Sequence, residues 1–239
     1  MSVTSLAQSE LSALGSALVR AMPALDEVEQ RLAVALYREL AAGEPVSLER
    51  LATRVGLSAE EVSEILGRWP GVYRDGRGAL IGFWGLAQAE MPPHRFEVDG
   101  QRLWAWCAWD SLFIPAVLGT TARVASVCAA TGAPVCAVVT PDGVAEASPA
   151  GTVLSFLRPE GEFDHDVILS FCHHVLFFSS DEAGRTWVAG HPNAFLLSLE
   201  QGFALGRLVV EAKFGVALSG ATRGRTNVAG LTQRPPART

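Results

Sequence analysis

Lysine is almost absent from this 239-residue chain: Lys213 is its single lysine, against eighteen arginines that are scattered and do not form a cluster. With a formal net charge of −6 and a sequence pI near 5.4, the chain lacks the clustered positive charge needed to neutralise nucleic-acid phosphates as its main task. Cysteine is scarce too. Cys107, Cys128, Cys136 and Cys172 are too few for a disulfide scaffold of this length, and no pair has C-x-x-C spacing, which argues against a zinc knuckle or dithiol redox motif. Free thiols in a reducing compartment are expected. A continuous apolar block is missing from the N-terminus, where Glu10 and Arg20 interrupt a mixed pattern, so no signal peptide is read. The longest uncharged stretch, Val124 to Pro141, is broken by Thr131-Gly132-Ala133-Pro134 and reads as two buried strands, not a membrane span. The expected address is the cytoplasm.

Hydrophobic residues are plentiful at 49%, with charged residues at 18% and a mean hydropathy of +0.24, a composition that builds a core. Up to about Leu66 the apolar residues recur at helical spacing. Ser47 can cap one helix, Val55-Gly56-Leu57 makes a tight turn, and Ser58-Ala59-Glu60-Glu61 forms a capping box for the next helix. With Val72-Tyr73-Arg74 and Ala79-Leu80-Ile81 flanking Asp75-Gly76-Arg77-Gly78, this predicts a helix-turn-helix followed by a strand pair, a winged-helix-like module. Residues 1–80 carry eight arginines against eleven acidic residues, a net charge of −3, and Glu60, Glu61 and Glu64 lie on the second helix of the motif. That sign favours a structural role over DNA reading.

Met91-Pro92-Pro93-His94 is read as a joint. Beyond it, Thr121 to Val127, Pro134 to Thr140, Thr152 to Arg158 and Ile168 to Phe178 are short β-rich runs, and Trp104 to Leu118 and Leu197 to Phe214 are helix candidates. The expectation is an α+β protein: a module at 1–90, a mixed α/β core with a mostly antiparallel sheet at 91–220, and a basic tail at 221–239 whose composition predicts disorder.

Three of the six tryptophans surround one thiol and one carboxylate in Trp104-Ala105-Trp106-Cys107-Ala108-Trp109-Asp110. On a helix, Cys107 and Asp110 share a face at i and i+3. The positive helix end favours the Cys107 thiolate while the carboxylate opposes it, and burial near tryptophan raises Asp110, as suits a group that accepts and then donates a proton. A buried, unreactive Cys107 is the competing reading. In Phe171-Cys172-His173-His174-Val175, read as a strand, Cys172 and His174 share a face and His173 takes the other, so a four-ligand zinc site does not form. A pair of Cys107 with His173 or His174 has no supporting local signature. Cys128 and Cys136 are expected in the core.

The ordered blocks Trp106 to Leu112, Thr121 to Val124, Cys128 to Pro134 and Ser170-Phe171-Cys172-His173-His174-Val175 resemble those of the bacterial organomercurial (alkylmercury) lyases, a likeness that runs on to Gly202–Gly206. The resemblance implies a cytoplasmic enzyme that cleaves carbon–mercury bonds to a hydrocarbon and Hg(II). Its catalytic residues would be Cys107, Asp110 and Cys172, with mercury, substrate and product in turn, held by the two thiolates and the acid. In that reading Cys107 gives its proton to Asp110 and attacks mercury, Cys172 adds as second thiolate, and Asp110 protonates the leaving carbon, as the preference of Hg(II) for thiolates favours. The tryptophans would wall a dry pocket. The resemblance implies no organic cofactor, a need for external thiols, and transfer of Hg(II) to a mercuric reductase. His173 stands where some relatives carry a further cysteine; Cys128 matches a recurrent, structural family cysteine, and Cys136 matches none. The competing classes are a metal-responsive DNA-binding regulator and a non-catalytic mercury-binding protein.

Overall fold

The computed structural model describes residues 6–164 and 166–229, the last ten of these by their backbone alone. The N-terminal part forms the expected module. Helices α1 (Gln8–Ala21) and α2 (Glu27–Ala41) precede α3 (Leu48–Val55) and α4 (Ala59–Arg68). Ser47 accepts from the Arg50 amide, Gly56 ends α3 with φ +76°, and Ser58 and Glu61 close a reciprocal capping box. In the turn between β1 (Val72–Arg74) and β2 (Leu80–Phe83), the Asp75 carboxylate accepts from the amides of Arg77 and Ala79. Glu39, buried on α2, takes ion pairs from Arg50 and Arg54 and so fixes α3 to α2.

The wing does not stop at the proline joint. Strands β3 (Leu86–Ala87), β4 (Arg95–Val98), β5 (Gln101–Ala105), helix α5 (Asp110–Leu118), β6 (Ala122–Val127), β7 (Pro134–Thr140) and β8 (Gly143–Ser148) follow. All the strands from β1 to β8 join one antiparallel sheet in the order β1-β2-β3-β5-β4-β6-β7-β8, so the module and the core share a single sheet. After β9 (Val153–Leu157) come α6 (Val167–Ser170), a 3₁₀ turn at Cys172–His174, β10 (Phe177–Phe178), α7 (Asp181–Val188), β11 (Ala194–Ser198) and α8 (Leu199–Ala229). A second antiparallel sheet has the order β10-β9-β11. The α+β class and the largely antiparallel core are as expected.

Helix α8 packs on α1, α2 and α5. Its approach to α5 depends on Gly206, where a Cβ would lie 2.6 Å from that of Phe113, and Trp109 ties the two helices by donating its indole N–H to the Gly202 carbonyl at 3.0 Å. Helix α8 passes the expected boundary at 221 as far as Ala229; residues 230–239, the rest of the basic tail, lie outside the described residues.

Two segments depart from expectation. Trp104 is on strand β5, not on a helix, paired with Arg95 and Ala87, because it sits in an extended hairpin arm; the helix begins only at Asp110. Ile168 to Phe178, expected as a strand, is a short helix and a 3₁₀ turn, and pairs with β9 only at Phe177 and Phe178. A short apolar run does not distinguish a strand from a buried helical turn. Ser155 holds this bend by donating its hydroxyl to the His174 carbonyl at 2.7 Å and accepting from the Leu176 amide at 3.0 Å.

Candidate active site

Cys107 lies in the turn between β5 and α5, Asp110 is the first residue of α5, and Cys172 opens the 3₁₀ turn after α6. One ligand atom from each, Sγ or a carboxylate oxygen, can be chosen so that all three lie within 4.8 Å of one another, and all three residues are buried. Separated by 65 positions in sequence, the two cysteines are brought together because the Ala108 amide donates to the Val175 carbonyl at 3.0 Å, stitching the turn before α5 to the end of the 3₁₀ segment. Asp110 is held by its own turn: its Oδ2 accepts from the Cys107 amide at 3.0 Å and from Cys172 Sγ at 4.0 Å.

The i, i+3 relation of Cys107 and Asp110 therefore arises from a turn that the Asp110 carboxylate closes, not from a helix face. Cys107 precedes the helix, and of the two opposed influences expected on its thiol the raising one prevails. Burial, then the neighbouring Cys172 and Asp110, holds it well above the ordinary thiol range. For Cys172, the hydrogen bond with Cys107 pulls downward, but burial and Asp110 outweigh it and the thiol is also raised. Burial lifts Asp110 to about 7 against the hydrogen bonds from Cys107 that lower it. The resting site thus holds two protonated thiols beside a carboxyl group poised to gain or lose a proton near neutrality.

The cavity that opens on Asp110 and Cys172, with Cys107 behind its lining, holds about 50 Å³ and is almost wholly apolar, with Trp106, Trp109, Phe113 and Phe171 in its walls. Trp106 and Trp109 serve the core and the cavity together; Trp104 instead lies under the Arg95 guanidinium, 5.8 Å from its ring centroid, and is not a wall residue. Sequence reasoning missed Met22, Pro23, Pro70, Trp84 and Gly85, all wall residues from the N-terminal module. Their local patterns carry no chemical motif, although Gly85 sits in the readable turn signal Phe83-Trp84-Gly85. Lys213 on α8 pins the Met22–Pro23 wall, donating to both carbonyls at 3.0 and 2.8 Å, and the Phe163 amide reaches the Ala21 carbonyl at 2.7 Å. A larger open groove of about 500 Å³ near Arg158 and His191 includes none of the trio.

The remaining candidates fall outside the cluster. His174 lines that larger groove, and neither it nor His173 joins a cluster of three or more metal-ligating side chains among the described residues. Cys128 is buried, as expected; burial raises its thiol, but hydrogen bonds involving Ser179 and Thr131 outweigh this and bring it to about 7. Cys136 corrects the expectation of a core position: it is exposed, on the outward face of β7.

Residues 86–211 match the family model described as alkylmercury lyase, and residues 3–84 match the helix-turn-helix domain of alkylmercury lyase. The alkylmercury lyase of Pseudomonas putida is 44% identical over 178 residues, 74% of this chain and 82% of that relative. The chain belongs to the alkylmercury lyase family. Alkylmercury lyases of Staphylococcus epidermidis and Streptomyces lividans are each 41% identical, covering 72% and 74% of this chain and 78% and 80% of theirs. The crystal structure of the mercury-bound form of MerB2 shares the fold, with a TM-score of 0.66 at 23% identity over 87% of this chain and 99% of that one. As an alkylmercury lyase, the protein acts on small organomercury compounds, and the buried cluster of two thiols and a carboxyl group fits that chemistry. No helix among the described residues is long and apolar enough to cross a membrane.

Proposed function

We propose that Cys107, Asp110 and Cys172 act as one protonolytic unit, with mercury as their substrate and product. The observation that carries this is the convergence of their donor atoms within 4.8 Å in a buried setting. The substrate arrives as R–Hg–S–R′, an organomercury thiolate. Cys107 displaces the external thiol, which leaves with one proton. The proton of the second cysteine passes to the ionised Asp110 as its sulfur joins mercury. Electron donation from two thiolates weakens the carbon–mercury bond, the bonding pair stays on carbon, and Asp110 returns its proton there to give R–H. The products are the hydrocarbon and Hg(II) between Cys107 and Cys172. The apolar walls keep water from that pair and accept the organic group.

This scheme asks for no organic cofactor; external thiols carry the substrate in, and a soluble thiol or a mercuric reductase takes Hg(II) away, in the cytoplasm. The winged-helix module is a wall of the enzyme and not a DNA reader, a reading supported by its net negative charge and by Glu60, Glu61 and Glu64 on α4. Incubating the protein with a phenylmercury salt and excess small thiol, with benzene followed by gas chromatography, tests the scheme. Because Asp110 must start ionised and the thiols protonated, kcat/KM is expected to rise as pH climbs through about 7 and to fall only above the ordinary thiol range. Tight mercury uptake without benzene at any pH would move the protein to the sequestering or regulatory class, and retention on DNA at physiological salt would then be measured.

A further inference from the structure

The Trp84-Gly85 turn after β2 packs against the Asp110 carboxyl group, and Tyr37 on α2 reaches that turn from behind by bonding to the Trp84 carbonyl. Gly85 has φ +94°, and a Cβ built there would stand 2.5 Å from Asp110 Cγ and 2.6 Å from Oδ1. No other residue type permits this approach of backbone to carboxylate. Trp84 is itself in the left-handed region at φ +27°, a conformation that a bulky residue keeps only when its surroundings hold it. Besides the Trp84 amide, which donates to the Gly71 carbonyl at 3.2 Å, three further hydrogen bonds do so. The fully buried Tyr37 hydroxyl donates to the Trp84 carbonyl at 2.6 Å, the Trp84 indole N–H donates to the Pro70 carbonyl at 2.6 Å, and the Gly85 carbonyl accepts from the Trp106 amide at 2.9 Å. The first two come from the helix-turn-helix module, and the third ties the turn to the segment that carries Cys107.

We propose that Tyr37 and Gly85 are positioning residues for the proton transfer: the N-terminal module presses a strained turn against Oδ1 so that Oδ2 stays on the Cys107 and Cys172 side. This rests on the assignment of Asp110 as the proton carrier. It also gives a winged-helix-like module a part in an enzyme, as the rigid back of the active site. A misplacement of about 1 Å costs on the order of a hundredfold when geometry sets the rate.

The test separates mercury capture from carbon protonation at saturating phenylmercury in a single turnover. In Gly85→Ala, the added methyl group is expected to displace the carboxyl group and slow benzene release at least about a hundredfold, with phenylmercury still captured at the site with its carbon–mercury bond intact, read by thiolate-to-mercury ultraviolet absorption. In Tyr37→Phe, which keeps the ring and removes only the hydroxyl, release is expected to slow about tenfold at unchanged KM. Should Gly85→Ala fail to fold, Tyr37→Phe decides. A Tyr37→Phe enzyme that melts earlier but releases benzene within about twofold of the wild-type rate would make Tyr37 merely structural and overturn the proposal. So would a folded Gly85→Ala protein with near-normal release, or one that no longer takes up mercury. Absence of benzene from the wild-type chain itself would instead count against the assigned reaction.

Discussion

Asp110→Asn is expected to lose at least about a hundredfold in hydrocarbon release while continuing to bind mercury, because the amide keeps the shape of the carboxyl group but cannot take the thiol proton and return it to carbon. The same substitution is expected to stabilise the protein above neutral pH. Asp110 has a folded-state pKa of about 7 against an ordinary value of 3.8, so its ionisation is penalised on folding. The relative stability this gives is complete below the ordinary value and is lost as pH rises through 7. By pH 8 the buried charge costs about 4 kcal/mol, from three pKa units at 1.36 kcal/mol each. Denaturant titrations at pH 8 and pH 4 should therefore show Asp110→Asn gaining over the wild type at the higher pH and nothing at the lower. Near-normal benzene release in this variant would remove Asp110 from the mechanism, and an equal stability at both pH values would contradict the account of its environment.

Cys107→Ser and Cys172→Ser are each expected to abolish turnover. A hydroxyl is a hard, weakly acidic donor, so one remaining thiolate can hold the organomercury but cannot supply the second sulfur that weakens the carbon–mercury bond. The predicted result is a stoichiometric phenylmercury adduct with no benzene from either variant, followed by mass spectrometry of the intact protein and headspace analysis. Cys136→Ser, on the exposed face of β7, is the control and is expected to retain the wild-type rate. Multiple turnovers in either single-cysteine variant would show that one sulfur suffices.

The helix-turn-helix was legible residue by residue, since Ser47, Gly56 and the Ser58–Glu61 capping box act within four residues of sequence. Strands β6, β7 and β9 were legible for the same local reason. The Val98-Asp99-Gly100-Gln101 hairpin was also open to view: Asp99 and Gly100 adopt φ of +48° and +78°, as a tight hairpin turn requires. Reading it would have placed Trp104 on a strand. The residue blocks name the trio, but they leave the Cys107 thiol between two opposed influences, a helix end and a carboxylate. The helix-end argument weighed a local dipole, whereas complete burial, a tertiary property, decided the outcome. Nothing in the sequence near Met22, Pro70 or Gly85 announces a cavity wall. Their roles arise only when the module and the core share one sheet, with β3 paired to β5.

The most direct test is native mass spectrometry of the protein after one equivalent of phenylmercury, without external thiol and with the headspace sampled for benzene. The account predicts a species heavier by one mercury and lighter by two protons, with no phenyl group attached and one equivalent of benzene released. A stable protein–phenylmercury adduct with an empty headspace would contradict it.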